Sequence, residues 1–217
     1  MGQNLVMTGM VLNAMPIGDY DKRIKYLEKH SPTCEEMERY IRKWDELEDY
    51  VNQEKALDKL FMQMCKENQC IEDILIKCSA LNDFYSTNIF KVHHVAQHYL
   101  KQNIDQRLKD GDLTLVNDLT AIPINNKMYR FYSFATKYCS HHRPDIYPIY
   151  DSYVHKVLMH FRKKGFVKFK TENDLKDYPK YTDIINSLKK NRQLEKFTVK
   201  EIDKYLWQLG KEVFNPY

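Results

Sequence analysis

The side chains of this sequence that are best suited to chemistry are an acid, a serine and a lysine close together along the chain. Asp151 follows the extended run YPIY, and apolar residues spaced at i, i+3, i+4 and i+7 predict a helix directly after it. An acid at a helix N-terminus accepts backbone N–H bonds and is stabilised in its ionised form by the helix dipole. Asp151 is therefore predicted either to cap this helix or to act as a catalytic carboxylate.

Ser133 and Lys137 lie upstream, on a helix predicted over residues 126–140. With Arg130 and His141 they form a polar stripe at i, i+3, i+7 and i+11. A solvent-facing stripe is the ordinary interpretation of such a pattern. The loop RPDIYP then returns the chain to Asp151, so two helices joined by a short loop are expected to bring Ser133 or Lys137 near the acid.

The elements that position these residues are predicted to be helices. The chain has 217 residues, 43% of them hydrophobic, and only six glycines, which favours one compact all-α domain over residues 1–217 with little β structure. Capping boxes begin helices at Thr33 and Thr198. Apolar periodicity predicts helices over about 34–67, 71–81, 89–100, from 115, near 181–190 and from 198 onward. The segment RKKGFVKFK is predicted to form two short strands or a solvated loop.

Composition narrows the functional classes. A net charge of +4 permits nucleic acid as a partner without requiring it. No apolar run approaches the roughly 18 residues of a membrane span, so no membrane association is predicted. The first residues carry no basic n-region, so no signal peptide is predicted. Five cysteines without a CxxC motif indicate reduced thiols in a cytoplasmic protein, and no cofactor or metal is predicted.

The run YSFATKYCSHHRPDIYPIYDSYVHKVL resembles the catalytic segment of the helix–hairpin–helix DNA glycosylases, the superfamily of endonuclease III and the adenine glycosylases. Ser133 and Asp151 have the separation of the family's Lys or Ser and its Asp, and PIYDSYVHKVL is similar to its Asp-x-x-Val/Ile-x-Arg-Val-Leu continuation, with Lys156 in place of Arg. The resemblance implies a two-lobed helical bundle, with lobes at about 1–70 with 160–217, and 71–159. It also implies a glycosylase that hydrolyses the N-glycosidic bond of a damaged or modified base, with Asp151 as the catalytic carboxylate.

Such an enzyme extrudes its target base from the duplex into a pocket, and it holds the DNA backbone with cations. The predicted substrate-binding residues are Asn82 as the wedging amide, with Tyr85, Tyr147, Tyr150, Tyr153 and His155. The predicted phosphate contacts are Lys127, Arg130, Arg162, Lys163 and Lys164. Core packing explains each of these tyrosines about as well, and most such cations are simply solvated.

The sequence departs from that family at its phosphate-binding hairpin. The family's glycine-containing turn is replaced by PINNKMYRF, so the hairpin is either rebuilt on Asn125 and Asn126, which tolerate left-handed conformations, or lost. Ser133 at the family's Lys/Ser position indicates hydrolysis by activated water. Lys137, one turn further along, would form a Schiff base if it were desolvated, or would contact a phosphate.

Two other functional classes stay open. One is a non-catalytic DNA-binding or interaction protein on the same fold. The other is a metal hydrolase built on several of the histidines with an acid. The candidate ligands are His94, His98, His141, His142, His155, Asp145 and Asp151. For a glycosylase, the expected role is either DNA repair or attack on foreign modified DNA.

Overall fold

A computed structural model describes residues 20–214, and within this range the chain is mainly helical, which confirms the predicted all-α class. A π-helical turn over Leu60–Met64 and a 3-10 turn over Glu172–Lys176 supplement the helices. The first residues, whose lack of a basic n-region predicts no signal peptide, lie outside the described residues. The α-helices are α1 Tyr20–Lys29, α2 Cys34–Asp45, α3 Glu48–Lys59, α4 Ile71–Phe84, α5 Val92–Leu100, α6 Ile104–Lys109, α7 Thr114–Thr120, α8 Tyr132–His142, α9 Ser152–Lys163, α10 Tyr178–Asn191 and α11 Val199–Phe214.

Two of the helix starts follow directly from the capping residues. Thr33 Oγ1 accepts the backbone N–H of Glu36 at the start of α2. Before α11, Thr198 and Glu201 exchange side-chain-to-backbone hydrogen bonds in both directions, as a capping box requires. The pattern over 34–67 forms two helices and a π-helical turn, and α6 has no counterpart among the predicted helices.

The segment before α8 is a β-hairpin, so the helix predicted over 126–140 is confirmed only from Tyr132 onward and is wrong for the residues before it. Strand β1 (Ala121–Ile124) pairs antiparallel with β2 (Lys127–Arg130). Asn125 and Asn126 form the two-residue connection with φ of 49° and 60°. Two successive positive φ values define a type I′ turn, whose twist matches that of paired strands. The asparagines do adopt left-handed conformations, but in a β-turn rather than between two helices.

The core is one connected hydrophobic cluster that the central helices share. Helix α11 packs against α1, α2 and α9, and α8 packs against α4 and α7. The segment around Gly165 contains no strand, so RKKGFVKFK forms an irregular connection between α9 and the 3-10 turn. The division of the chain into two lobes stays a prediction.

Gly210 sets how closely α11 approaches the start of α9. A Cβ atom at position 210 would lie 2.7 Å from Tyr153 Cβ and 2.8 Å from the Tyr153 carbonyl oxygen. Contacts this short are not tolerated, so only glycine permits this spacing. The approach matters because α11 and the first turn of α9 both contribute to the site described below.

No helix within residues 20–214 is both long enough and apolar enough to cross a bilayer. The five cysteines are all free thiols: Cys34, Cys65, Cys70, Cys78 and Cys139.

Candidate functional site

A cleft of about 1390 Å³ opens between α3, the end of α4, the first part of α8, the start of α9 and α11. Ser133 and Lys137 line it from α8, and Asp151 and Tyr153 line it from the start of α9. We call it the central cleft. The two helices flank one cavity, as the spacing of Ser133 and Asp151 predicts.

Lys137 is buried in the wall of the central cleft, with only 5% of its surface exposed. Its Nζ donates a hydrogen bond to Ser133 Oγ at 2.5 Å and lies 4.9 Å from the centre of the Tyr85 ring. Across the described part of the chain, no carboxylate lies within ion-pairing distance of this amine. Burial lowers the pKa of Lys137, while the more distant charges of Asp151 and Asp203 oppose that shift. The interpretation of a solvent-facing stripe is therefore wrong for Lys137.

Asp151 caps α9, and its position relative to Lys137 is fixed by the backbone. Its Oδ1 accepts the N–H groups of Tyr153 and Val154 at 2.9 and 2.8 Å. One residue earlier, the Tyr150 N–H donates to Thr136 Oγ1 at 3.1 Å. Thr136 and Tyr150 are the chain neighbours of Lys137 and Asp151, so this hydrogen bond holds the amine and the carboxylate on facing walls.

The extended segment before Asp151 is held from two further helices. On α10, the hydroxyls of Tyr178 and Tyr181 donate to the carbonyl groups of Pro148 and Ile149. On α11, Asp203 Oδ2 accepts the Ile149 N–H at 2.8 Å. This backbone cannot shift without breaking several buried hydrogen bonds, so Asp151 is presented rigidly.

Asp203 is a second acid of the central cleft and is absent from the residues predicted from sequence. It is 6% exposed, and its Oδ1 is buried without a hydrogen-bond partner among residues 20–214. Burial raises the pKa of Asp203 well above its ordinary value; the Ile149 N–H opposes this shift, and the nearby Asp151 charge adds to it. The two acids of the cleft thus have very different surroundings: Asp203 is buried, whereas Asp151 lies at a helix N-terminus.

Behind Lys137 the cleft wall is aromatic and neutral. The Tyr85 hydroxyl and His141 Nε2 lie 2.9 Å apart. Burial lowers the pKa of His141 to about 3, so the ring is uncharged at neutral pH. Burial also raises the pKa of Tyr85. Both side chains therefore keep the surroundings of the lysine amine free of compensating charge.

The mouth of the cleft carries aromatic rings and cations, most of which sequence reasoning missed. The rings of Trp44, Tyr50 and Trp207 pack together with centroids 5.0 to 6.0 Å apart. Lys211 Nζ lies 4.6 Å from the Tyr50 ring centre and 4.8 Å from that of Trp207. No carboxylate pairs with Lys211 among residues 20–214, whereas Lys200 is paired with Glu54.

Only some of the predicted substrate-binding residues reach the central cleft. Tyr85 and Tyr153 line it. Tyr147 is fully buried. Tyr150 and His155 lie outside the cleft: the Tyr150 hydroxyl contacts His155 Nδ1, and His155 Nε2 contacts Glu172. Asn82 is engaged by its own loop, where its Oδ1 accepts the Ile89 N–H at 2.8 Å. An amide held in this way is not displayed as a wedge.

The predicted phosphate contacts divide in the same way. Arg130, on β2, lines the central cleft, whereas Lys127 does not. Arg162 donates to the Lys170 carbonyl, and Lys164 pairs with Glu28 at 2.6 Å. Lys163 is exposed near the other end of α9. The cations of the cleft are instead Arg130 together with three lysines of α11: Lys200, Lys204 and Lys211.

The histidines proposed as metal ligands are dispersed. In the described part of the chain, no group of three or more histidine, cysteine or acidic side chains is arranged to hold a metal ion. His142 instead contacts the buried Lys77 amine at 3.3 Å, and His98 contacts the Asp118 carbonyl at 2.9 Å. The metal-hydrolase alternative gains no support from this arrangement.

The fold and the cleft thus define a helical protein with a buried lysine facing two acids. The sequence model of the HI_0787_N family, an N-terminal domain, matches residues 36–146, and the chain belongs to this family. A Haemophilus influenzae protein described as an uncharacterized protein is 48% identical over 146 residues, which cover 66% of this chain and 69% of that protein. No solved structure matches the chain.

Membership of this family corrects the resemblance to the helix–hairpin–helix DNA glycosylases. The chain belongs to a distinct family, and no glycosylase family matches it. The structure gives a physical reason for the difference, because the segment that would be the DNA-binding hairpin is a β-hairpin with a type I′ turn. What remains of the similarity is a local arrangement of one acid and one lysine-bearing helix.

Proposed function

We propose that the protein hydrolyses the N-glycosidic bond of a damaged or modified base in DNA, in the central cleft. One observation carries the proposal: the desolvated amine of Lys137 and the helix-capping carboxylate of Asp151 face the same cavity. The proposal rests on this geometry and not on kinship with any glycosylase family.

The two groups have complementary roles. A neutral lysine amine is a nucleophile, and burial without a paired carboxylate favours the neutral amine. Its attack on the sugar C1′ forms an N–C1′ bond while the bond to the base breaks. Positive charge develops on the sugar as the base leaves, and the Asp151 carboxylate stabilises it. Loss of a proton and ring opening give an imine, which water hydrolyses to the sugar aldehyde and the free amine.

The remaining features of the cleft support a nucleic-acid substrate. Aromatic rings at the mouth offer stacking surfaces for bases, and Lys211 and Arg130 offer contacts to phosphates. The free thiols support a cytoplasmic location, where glutathione keeps cysteines reduced.

Borohydride trapping tests the proposal without knowledge of the base. A duplex with a preformed abasic site exposes the sugar aldehyde, and sodium borohydride reduces any imine to a stable amine. We expect a covalent protein–DNA complex whose adduct maps by mass spectrometry to Lys137. A complex that maps elsewhere, or none, would refute the assignment of Lys137.

The cations of the cleft should govern the salt dependence of DNA binding. Replacement of Arg130 and Lys211 with alanine should reduce the slope of log affinity against log salt by about two, because each phosphate contact contributes about one. The matched double variant Lys163→Ala, Lys164→Ala removes the same charge outside the cleft and should leave the slope nearly unchanged. Fluorescence anisotropy with a labelled duplex measures both. Equal slopes for the two double variants would show that the cleft does not hold the DNA backbone.

A further inference from the structure

The proposed reaction leaves one step without a group to perform it. A departing base carries the electron pair of the broken bond and leaves far more readily when it is protonated. The donor must be an acid that keeps its proton at neutral pH and lies in the cleft. Lys137 serves as the nucleophile, and Asp151 Oδ1 already accepts two backbone N–H bonds at the start of α9.

We infer that Asp203 is the general acid of this cleft and protonates the base as it leaves. This inference rests on the proposed function and names a catalytic residue for it. Asp203 lines the same cavity as Lys137 and Asp151. Its Oδ2 is engaged by the Ile149 N–H, which leaves Oδ1 as the oxygen that carries the proton. That oxygen is buried and has no hydrogen-bond partner among residues 20–214, so a bound base that reaches it meets no competing acceptor for its proton.

The surroundings of Asp203 keep the acid neutral. The ionised form would be desolvated, because only 6% of the surface of Asp203 is exposed. Asp151 adds repulsion, and Lys200, together with Lys137 whenever its amine is protonated, offsets it only in part. Tyr85, Tyr178 and Tyr181 are further titratable groups near it, and burial raises the pKa of each hydroxyl. Two carboxyl groups in contrasting environments, one buried and one at a helix N-terminus, are the usual arrangement of an acid beside a charge-stabilising group.

The proton balance closes within the cleft. The C1′–N bond to the base breaks with its electron pair on the base nitrogen, which takes the proton from Asp203 Oδ1. The Lys137 nitrogen, now bonded to C1′, carries a positive charge and an extra proton. One proton of that nitrogen passes to O4′ as the ring opens to the protonated imine. Hydrolysis of this imine leaves Lys137 as an ammonium, which returns a proton to the Asp203 carboxylate and restores the acid.

A comparison of base release with trapping separates this role from a structural one. Asp203→Asn keeps an oxygen that can accept the Ile149 N–H but has no proton to give. The substrates are duplexes that each carry one deaminated, oxidised or alkylated base, and one duplex with a preformed abasic site. The variant should release base at least about 100-fold more slowly than the wild type. It should still be trapped on the abasic duplex at the wild-type rate, because that sugar has no base to protonate.

Each other outcome decides against the inference. Equal base release by the variant and the wild type would exclude an acid role. If Asp203→Asn loses base release and trapping to the same extent, Asp203 only positions the Ile149 segment. Asp203→Ala, which also removes the hydrogen bond to the Ile149 N–H, shows how large such a structural loss is. If the wild type is trapped on the abasic duplex but releases a base from no duplex, the enzyme acts only on sites that have already lost their base. Failure of the wild type in both assays would instead overturn the proposed function.

Discussion

Asp151→Asn should leave the protein folded and slow base release by two to three orders of magnitude. Asparagine and aspartate are both strong N-caps, so the hydrogen bonds to Tyr153 and Val154 persist and the stability change is about 1 kcal/mol or less. The charge is lost, and a preorganised electrostatic group of this kind contributes roughly 3–4 kcal/mol to the barrier. DNA affinity should be retained or increased, because a negative charge near phosphate is removed. Single-turnover base release and thermal unfolding measure the two effects.

Two further variants identify the cause of the lost activity. Asp151→Ala should lose both the cap and the activity. Thr33→Ala removes the cap of α2, which lies away from the chemistry, and should lower stability by about 1 kcal/mol without slowing base release. Equal rates for Asp151→Asn and the wild type would show that Asp151 only caps its helix.

Lys137→Met should abolish trapping on an abasic duplex altogether, because no imine forms without a primary amine at that position. Lys137→Arg should fail equally, since a guanidinium stays protonated and is not a nucleophile. Lys156→Met serves as the control: its amine lies 5.4 Å from the Phe214 ring centre, outside the central cleft, and trapping should continue. Quantification of the covalent complex after borohydride reduction measures all three.

Lys137→Met also separates the effect on activity from the effect on stability. Because the folded-state pKa of Lys137 is lowered, the folded protein holds this proton less tightly than the unfolded chain does. The protonated Lys137 therefore lowers the free energy of unfolding at pH values below its folded-state pKa. This penalty disappears as the pH rises through the pKa that the lysine has in the unfolded chain. Lys137→Met should accordingly unfold at the same or a higher temperature at pH 7, as expected where a site is built at some expense of stability. A large loss of stability would indicate that the amine has a structural role.

Local signals in the sequence predicted the parts of the site that are determined locally. The cap at Asp151 follows from an acid between an extended run and an amphipathic helix, and its hydrogen bonds form as expected. The spacing of Ser133 and Asp151 predicted one cavity because two helices joined by a short loop must pack side by side. The helix starts at Thr33 and Thr198 follow in the same way from their capping residues.

The parts that failed depend on contacts distant in sequence. Asp203 belongs to an amphipathic helix whose polar positions look solvent-exposed, and only the packing of α11 on α9 buries it. Lys137 and His141 likewise look like part of an exposed stripe, because their burial depends on helices distant in sequence that pack on α8. The helix predicted across Lys127–Arg130 failed because the Asn125–Asn126 turn pairs two short strands, a preference that outweighs the apolar periodicity around it.

The contact at Gly210 has a genetic consequence. Two of the three atoms that a side chain there would strike belong to the Tyr153 backbone, and the third is a Cβ that every residue except glycine carries. A mutant at position 210 therefore has no simple suppressor at position 153, since trimming the tyrosine ring leaves the collision in place. Any replacement of Gly210 moves α11 away from α9 and so separates Asp203 from Asp151. Selection for a stable protein and selection for an active one should thus both retain glycine at position 210.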